Sequence, residues 1–193
     1  MADHYVDVVD ENDNIIGKEL RSRKQELGFI SRVVVMLIKD SKNRFIICKR
    51  SCAKADIPDK RDVSAAGAVA YGEAYEAAAK RELWEELNIS CKLTMIEKFY
   101  QEFSNKDRKY RLFVGIFIGT SESIPILNQE LAEYKKMSFD ELAYGMANHS
   151  EMFVPGFIND FNQVKDKLAK IVARKQFPCN NNINAIFLLY WYG

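Results

Sequence analysis

Apolar and polar residues alternate with a period of two over Tyr5–Val9, and residues 10–14 are turn formers, so Ile15 and Ile16 are expected to pair back as a β-hairpin. Residues 21–28 keep no clear period and predict a polar connector, helical or irregular. Residues 33–38 are apolar without interruption and mostly β-branched, the pattern of a strand covered on both faces. After a Ser-Lys-Asn turn, residues 45–48 repeat it; residues 51–62 read as a loop around Pro58, and residues 63–69 as a short apolar segment leading to a helix. Residues 93–103 and 110–118 predict two strands joined at 104–107, residues 120–130 a polar loop, and residues 132–137 a weak strand. Ser138 followed by Glu141 has the spacing of a capping box. Phe157, Phe161, Val164, Leu168 and Ile171 share one stripe, which predicts a closing helix over 157–172.

Strands and helices mixed in this order predict an α/β fold, a sheet covered by helices on both faces. A chain of 193 residues with 48% hydrophobic content can bury a substantial core. No repeat or long linker divides it, so residues 1–174 are expected to form a single domain with an N-terminal hairpin extension (1–30) and an apolar tail (175–193). The end of that tail, 183–192, is too short to span a bilayer and would aggregate if free. Docking on its own domain is the first expectation; a homodimer that covers it is the second. With 28 Lys and Arg against 27 Asp and Glu, no overall field favours a nucleic-acid polymer or a membrane, so any phosphate binding must be local. Cys48, Cys52, Cys91 and Cys179 show no CxxC spacing, and no signal peptide appears, so reduced thiols in a cytoplasmic protein are the default. His4 and His149 lie in polar surroundings and are expected at the surface.

Residues 81–89 break this ordinary pattern. On a helix turning about 100° per residue, Glu82, Glu85 and Glu86 fall within roughly 100° of arc and repel one another. They also crowd a helix C-terminus, where the macrodipole favours cations. A divalent cation is the simplest thing such a pattern accommodates; a solvated acidic face is the alternative. Leu83, Trp84 and Leu87 are expected to dock the other side of the helix on a core, and Arg81 to hold Glu73 or Glu85 in one rotamer.

The full spacing runs Gly67, five residues, Glu73, seven residues, then Arg81-Glu82-Leu83-Trp84-Glu85-Glu86-Leu87-Asn88-Ile89. It resembles, in register, the signature box of the Nudix hydrolases. Only Asn88 departs, standing where the pattern has glycine, and asparagine is the next best residue for a left-handed position after a helix. The resemblance implies an α/β/α sandwich with a mixed sheet and hydrolysis of a diphosphate linkage in a small organic substrate, such as a nucleoside diphosphate derivative. It implies Mg2+ or Mn2+, with Glu82 and Glu86 as ligands, Glu85 sharing or bridging a second ion, and a backbone carbonyl at Gly67 or Ala66. Arg81 and Glu73 would orient these groups. A further acid outside the box completes such sites as ligand or base; Glu130, in Gln129-Glu130-Leu131-Ala132-Glu133-Tyr134, is the first candidate, then Glu133, then Glu102. Lys49, Arg50, Lys54 and Arg61 are candidate phosphate contacts, and Tyr71 and Tyr75 flank the box as stacking or packing groups.

Residues 7–17 and the run Arg50-Ser51-Cys52-Ala53-Lys54 followed by Pro58 also resemble the branch of this family that contains isopentenyl-diphosphate isomerase. The isomerase needs a cysteine just ahead of the box and a histidine-rich metal site, and Ser64-Ala65-Ala66-Gly67-Ala68 supplies neither. The expectation is an isomerase-like scaffold that carries out diphosphate hydrolysis. An isomerase and a catalytically silent binding module are the alternatives; the second is disfavoured because the box keeps every acid.

Overall fold

A computed structural model describes residues 3–54, 56–105 and 108–173; the apolar tail and Cys179 lie outside the described residues. The chain opens on the expected hairpin, β1 (Tyr5–Val9) and β2 (Ile15–Leu20), paired from Tyr5↔Leu20 to Val9↔Ile15. Its turn is held by Asp10, whose carboxylate accepts the N–H groups of Asn12 and Asn14. The polar connector is a 3-10 turn at Arg21–Arg23 running into a short helix, α1 (Lys24–Leu27).

A seven-stranded mixed sheet follows, built from β3 (Ser31–Lys39), β4 (Phe45–Arg50), β5 (Arg61–Asp62), β6 (Ala65–Ala68), β7 (Leu93–Asn105), β8 (Arg108–Thr120) and β9 (Leu131–Met137). The order is β5-β4-β3-β8-β7, with β6 paired to β3 and β9 to β4. The uninterrupted apolar strand β3 is central: parallel to β8 along its whole length and antiparallel to β6 over Val33–Met36. Successive side chains alternate between the faces, so Val34, Met36 and Ile38 meet the helix α2 (Tyr75–Leu87), while Val35 and Leu37 face α3 (Phe139–Asn148) and α4 (Pro155–Ala173). The expected stripe of α4 is seated, with Phe157, Phe161, Val164 and Leu168 fully buried; each such side chain contributes about 1.5–3 kcal/mol. The same stripe carries one acid, Asp160, whose Oδ1 accepts from Gln101 Nε2 at 3.2 Å. Burial pushes its carboxyl up to about 7, with Asp62 adding repulsion.

Both expected end signals are in place. Ser138 caps α3 through a reciprocal pair of hydrogen bonds with Glu141, and Asn88 ends α2 in the left-handed region at φ 53. Two expectations fail. Residues 61–62, read as the end of a loop, pair with β4 as β5, which is too short to carry a period-two pattern. Trp84 does not dock on the core: it is 55% exposed, and the buried residues of α2 are Ala78, Ala79, Glu82, Leu83, Glu86 and Leu87. At about 100° per residue these cover a single arc that leaves Trp84 nearly opposite, so Glu82 and Glu86 turn inward while Glu85 stays exposed.

Candidate active site

β6 leads into α2 through a tight turn in which Glu73 N–H bonds to the carbonyl of Ala70 at 3.0 Å and Gly72 takes φ 71. The turn folds the strand back beneath the acidic stripe of the helix. Contact is closest at Gly67, where an added Cβ would lie 1.9 Å from Glu82 Cδ and 2.0 and 2.3 Å from its two oxygens. The Glu82 carboxylate fills the space that any other side chain at 67 would need.

Arg81 is the hub of the box. Its Nε and Nη2 fork onto the two oxygens of Glu73 at 2.9 and 2.8 Å, Nη1 donates to Glu82 Oε1 at 2.7 Å, and Nη2 also reaches the Ala68 carbonyl at 3.0 Å. Glu73 Oε2 in turn accepts the Ala70 N–H at 3.0 Å. Charge-assisted, bidentate bonds of this kind hold a side chain in one rotamer. Glu85 stays exposed, 3.6 Å from Arg81 Nη1.

Glu82 and Glu86 are 6% and 5% exposed. Burial pushes the Glu82 carboxyl up although Arg81 opposes it. Burial pushes Glu86 up to about 8; the Lys54 ammonium works against this, and the charges of Glu82, Asp62 and Glu130 add to it. A bound divalent cation reverses such a balance by making the ionised form the favoured one. Glu130 sits just ahead of β9 with its Oε2 2.5 Å from Lys54 Nζ. Burial alone would raise it, but the Lys54 ammonium wins and holds it below the usual carboxylate range. The structure therefore brings Glu82, Glu86, Glu130 and Lys54 into one electrostatic cluster, with Glu73 and Arg81 behind it.

Other candidates go elsewhere. Asp62 pairs with Cys48 and Arg61 with Lys49 in the β4–β5 ladder, and side chains alternate, so Arg61, Lys49 and Glu133 share the face away from Cys48 and Asp62. Arg61 Nη2 lies 3.7 Å from Glu133. Arg50 commits its donors to Asp62 Oδ2 and to the carbonyls of Asp56 and Ile57, bracing the loop ahead of β5. Glu102 is tied to Tyr100 and Lys109 on the β7–β8 ribbon. Tyr71 is exposed beneath Lys18, and Tyr75 packs against Gly115 with its hydroxyl on Asp13.

Two contributors were missed in the sequence, Arg21 and Asp62, and Lys24 lies in the same connector as the first. The charge of Arg21 favours ionisation of both Glu82 and Glu130, and Asp62 adds negative charge at Glu86. Lys24 is half-buried with its ammonium 2.5 Å from Ser31 Oγ, and burial followed by the Arg21 charge pushes it down to about 7. The basic run Arg21-Ser22-Arg23-Lys24 in an otherwise polar connector was the available signal.

Among the described residues no three His, Cys, Asp or Glu side chains close into a metal cage. Magnesium rarely needs one: it is typically held by one or two carboxylates and completes its octahedron with substrate phosphate oxygens and water. Two buried glutamates one turn apart, over a glycine that clears room for a carboxylate, fit that demand. No helix among the described residues is long and apolar enough to cross a membrane.

The mixed sheet lies between helices and carries the glutamate-arginine box on α2. The NUDIX domain model matches residues 29–157, about two thirds of the chain, and the protein belongs to the Nudix family. It is similar to a Nudix hydrolase of Clostridium acetobutylicum, 31% identical over 188 residues that span 92% of this chain and 91% of that one. An isopentenyl-diphosphate Delta-isomerase of Photorhabdus laumondii is 28% identical over 158 residues, 80% of this chain and 89% of its own. A prenyl-diphosphate phosphatase of Methanosarcina mazei is 30% identical over 134 residues, 69% of this chain and 77% of its own. The crystal structure of DR0079 from Deinococcus radiodurans matches with a TM-score of 0.63 at 26% identity, over 89% of this chain and 98% of that one. The chain is a Nudix hydrolase, an enzyme class that acts on small molecules and generally uses divalent metal ions.

Proposed function

We propose that this enzyme uses Mg2+ or Mn2+ to hydrolyse the diphosphate linkage of a small organic diphosphate in the cytoplasm, with nucleoside diphosphate derivatives and prenyl diphosphates as the leading substrate classes. The observation that carries the reading is the Glu82 carboxylate, seated on Gly67 and locked by Arg81, with Glu86 buried one turn further on. Glu82 and Glu86 would hold the metal, with Glu85 on the open side for a second ion. When bound, the metal supplies positive charge that neutralises the phosphoryl oxygens. The chain does the rest. Arg81 and Glu73 keep Glu82 in its rotamer. Lys54, now on Glu130, hands its ammonium to an arriving phosphate, and Arg21 adds to the positive rim. Glu130 is then free to take the proton of the attacking water while the water oxygen bonds to phosphorus and the P–O bond to the leaving group breaks.

Isomerisation is disfavoured by one residue. Ala66 lies in β6 with its N–H 3.4 Å from Glu86 Oε2 and offers only a methyl group where a proton donor would be needed. A panel of nucleoside triphosphates, nucleotide sugars, ADP-ribose, dinucleotide polyphosphates and isoprenoid diphosphates, each with Mg2+ and with Mn2+, tests the proposal by phosphate-product release. Turnover of at least one class that is lost in Glu86→Gln supports it; no metal-dependent turnover of any would overturn it.

A further inference from the structure

The Nudix domain model begins at residue 29, so the hairpin β1–β2 stands outside it. The hairpin is nevertheless built into the segment that opens the box. Asp7 on β1 is fully buried. Its Oδ1 accepts the N–H of Gly72 at 3.0 Å, and its Oδ2 accepts from Arg32 Nη1 at 3.2 Å. Asp13, in the hairpin turn, takes Arg32 Nε at 2.6 Å, Lys98 Nζ at 2.6 Å and the Tyr75 hydroxyl at 3.2 Å. The backbone of β1 follows the same segment, with a bridge between Val6 and Ala70 and the Tyr71 N–H on the Tyr5 carbonyl at 2.9 Å.

Anchoring of a β-ribbon requires only apolar burial, and Val9 with Ile30 and Phe113 already supplies it. A buried carboxylate shared between a guanidinium and a single loop N–H is a costly way to add adhesion, and well-packed apolar groups commonly do as well. What the carboxylate adds is position. Gly72 holds φ 71, and the next residue is Glu73, whose two oxygens accept the Arg81 fork and through it set Glu82.

We infer that Asp7 is a positioning residue for the active site, acting from the N-terminal hairpin through Gly72 on the Glu73–Arg81–Glu82 relay. The inference rests on the metal-binding role proposed for Glu82. Gly72 and Arg32 meet different oxygens of Asp7, and asparagine offers an acceptor at only one of those two places, so it cannot serve both donors as they stand. The charged partner takes that oxygen, the amide group turns its own donors on the Gly72 N–H, and the loop bond is lost. Asp13 continues to compensate Arg32, so Asp7→Asn is expected to fold.

The experiment titrates Mg2+ alone against thermal stability, and Mg2+ against turnover of the best substrate of the panel, in wild type, Asp7→Asn, Val9→Ala, Glu82→Gln and Gly72→Ala. Asp7→Asn should raise the half-saturating Mg2+ concentration about three- to tenfold, below the roughly 10- to 100-fold effect of groups directly behind a metal ligand, with turnover recovered at saturating Mg2+. Val9→Ala should lower thermal stability and leave the Mg2+ requirement unchanged. Gly72→Ala strains the left-handed residue without touching the ion pair and should reproduce the Asp7→Asn shift; it decides the matter if Asp7→Asn does not fold. A wild-type Mg2+ requirement in folded Asp7→Asn, or in Gly72→Ala where Asp7→Asn does not fold, or a shift in Val9→Ala as large as theirs, overturns the positioning role. A wild type and Glu82→Gln that respond identically to Mg2+ overturn the metal reading itself, and the inference with it.

Discussion

Gly67→Ala is the sharpest test of the site, because one methyl group is placed directly on a proposed metal ligand. The new Cβ would fall 1.9 Å from Glu82 Cδ, and ordinary contact begins at 3.4 Å, so the carboxylate must retreat by about 1.5 Å or the strand must give way. The far end of a glutamate moves more easily than the backbone of β6, which is pinned to β3 through Val34↔Gly67. The retreat breaks or remakes the 2.7 Å bond to Arg81, a charge-assisted contact worth about 1.5–3 kcal/mol. Relief of carboxylate burial and the reduced entropy of the unfolded chain offset part of this, so net stability should change by less than about 2 kcal/mol. Catalysis is less forgiving. A displacement of about 1 Å in a catalytic group costs about 100-fold, or roughly 2.7 kcal/mol of transition-state stabilisation. The assay is kcat/KM at several Mg2+ concentrations beside a thermal melt. A folded Gly67→Ala enzyme with kcat/KM within about threefold of wild type would refute the reasoning that Glu82 works from this position.

Glu86→Gln should abolish most turnover while metal-free thermal stability holds or rises, since it removes both a ligand and a buried, repelled carboxylate; full activity would remove Glu86 from the site. Asp160→Asn tests an acid away from the box. Its folded pKa of about 7 lies above the unfolded value of 3.8, so the native state binds the extra proton and wild type loses stability as pH rises between the two. The advantage of Asp160→Asn should be small near pH 4 and grow to as much as about 4 kcal/mol above pH 7, read from denaturant midpoints; a difference independent of pH would refute it. With isopentenyl diphosphate and Mg2+, proton NMR should show no dimethylallyl isomer, and Ala66→Cys alone should not create the activity, because groups acting as a unit are not restored singly.

Strand β3 was legible because it buries both faces and so carries an unbroken apolar run, and α3 because Ser138 and Glu141 write its cap into the sequence, whereas the two residues of β5 read as loop. The box was legible because its acids violate helix rules together. Trp84 misled: hydrophobicity argues for burial, but the inward arc is set by Glu82 and Glu86 once strand and helix meet over Gly67. Arg21, Asp62 and Lys24 were hidden for a different reason. Arg21 and Lys24 come from one irregular connector and Asp62 from a two-residue strand, and only the folded chain brings the charges of Arg21 and Asp62 to bear on the acids of the box. Arg61 and Asp62 illustrate the limit most simply: adjacent in sequence, they point to opposite faces of one strand, and no pattern two residues long tells which faces the acids.

The outward turn of Trp84 gives the box helix a fluorophore of its own. The indole is half-exposed on α2 two residues from both Glu82 and Glu86, at the edge of a cavity of about 390 Å³ lined by Lys80, Leu83, Ile89, Ser90 and Cys91. The chain has two tryptophans, and the other, Trp191, lies outside the described residues. Trp191→Phe would leave a single tryptophan, on the box helix, whose emission would report on that helix if cations bind to it as proposed, with neither label nor substrate.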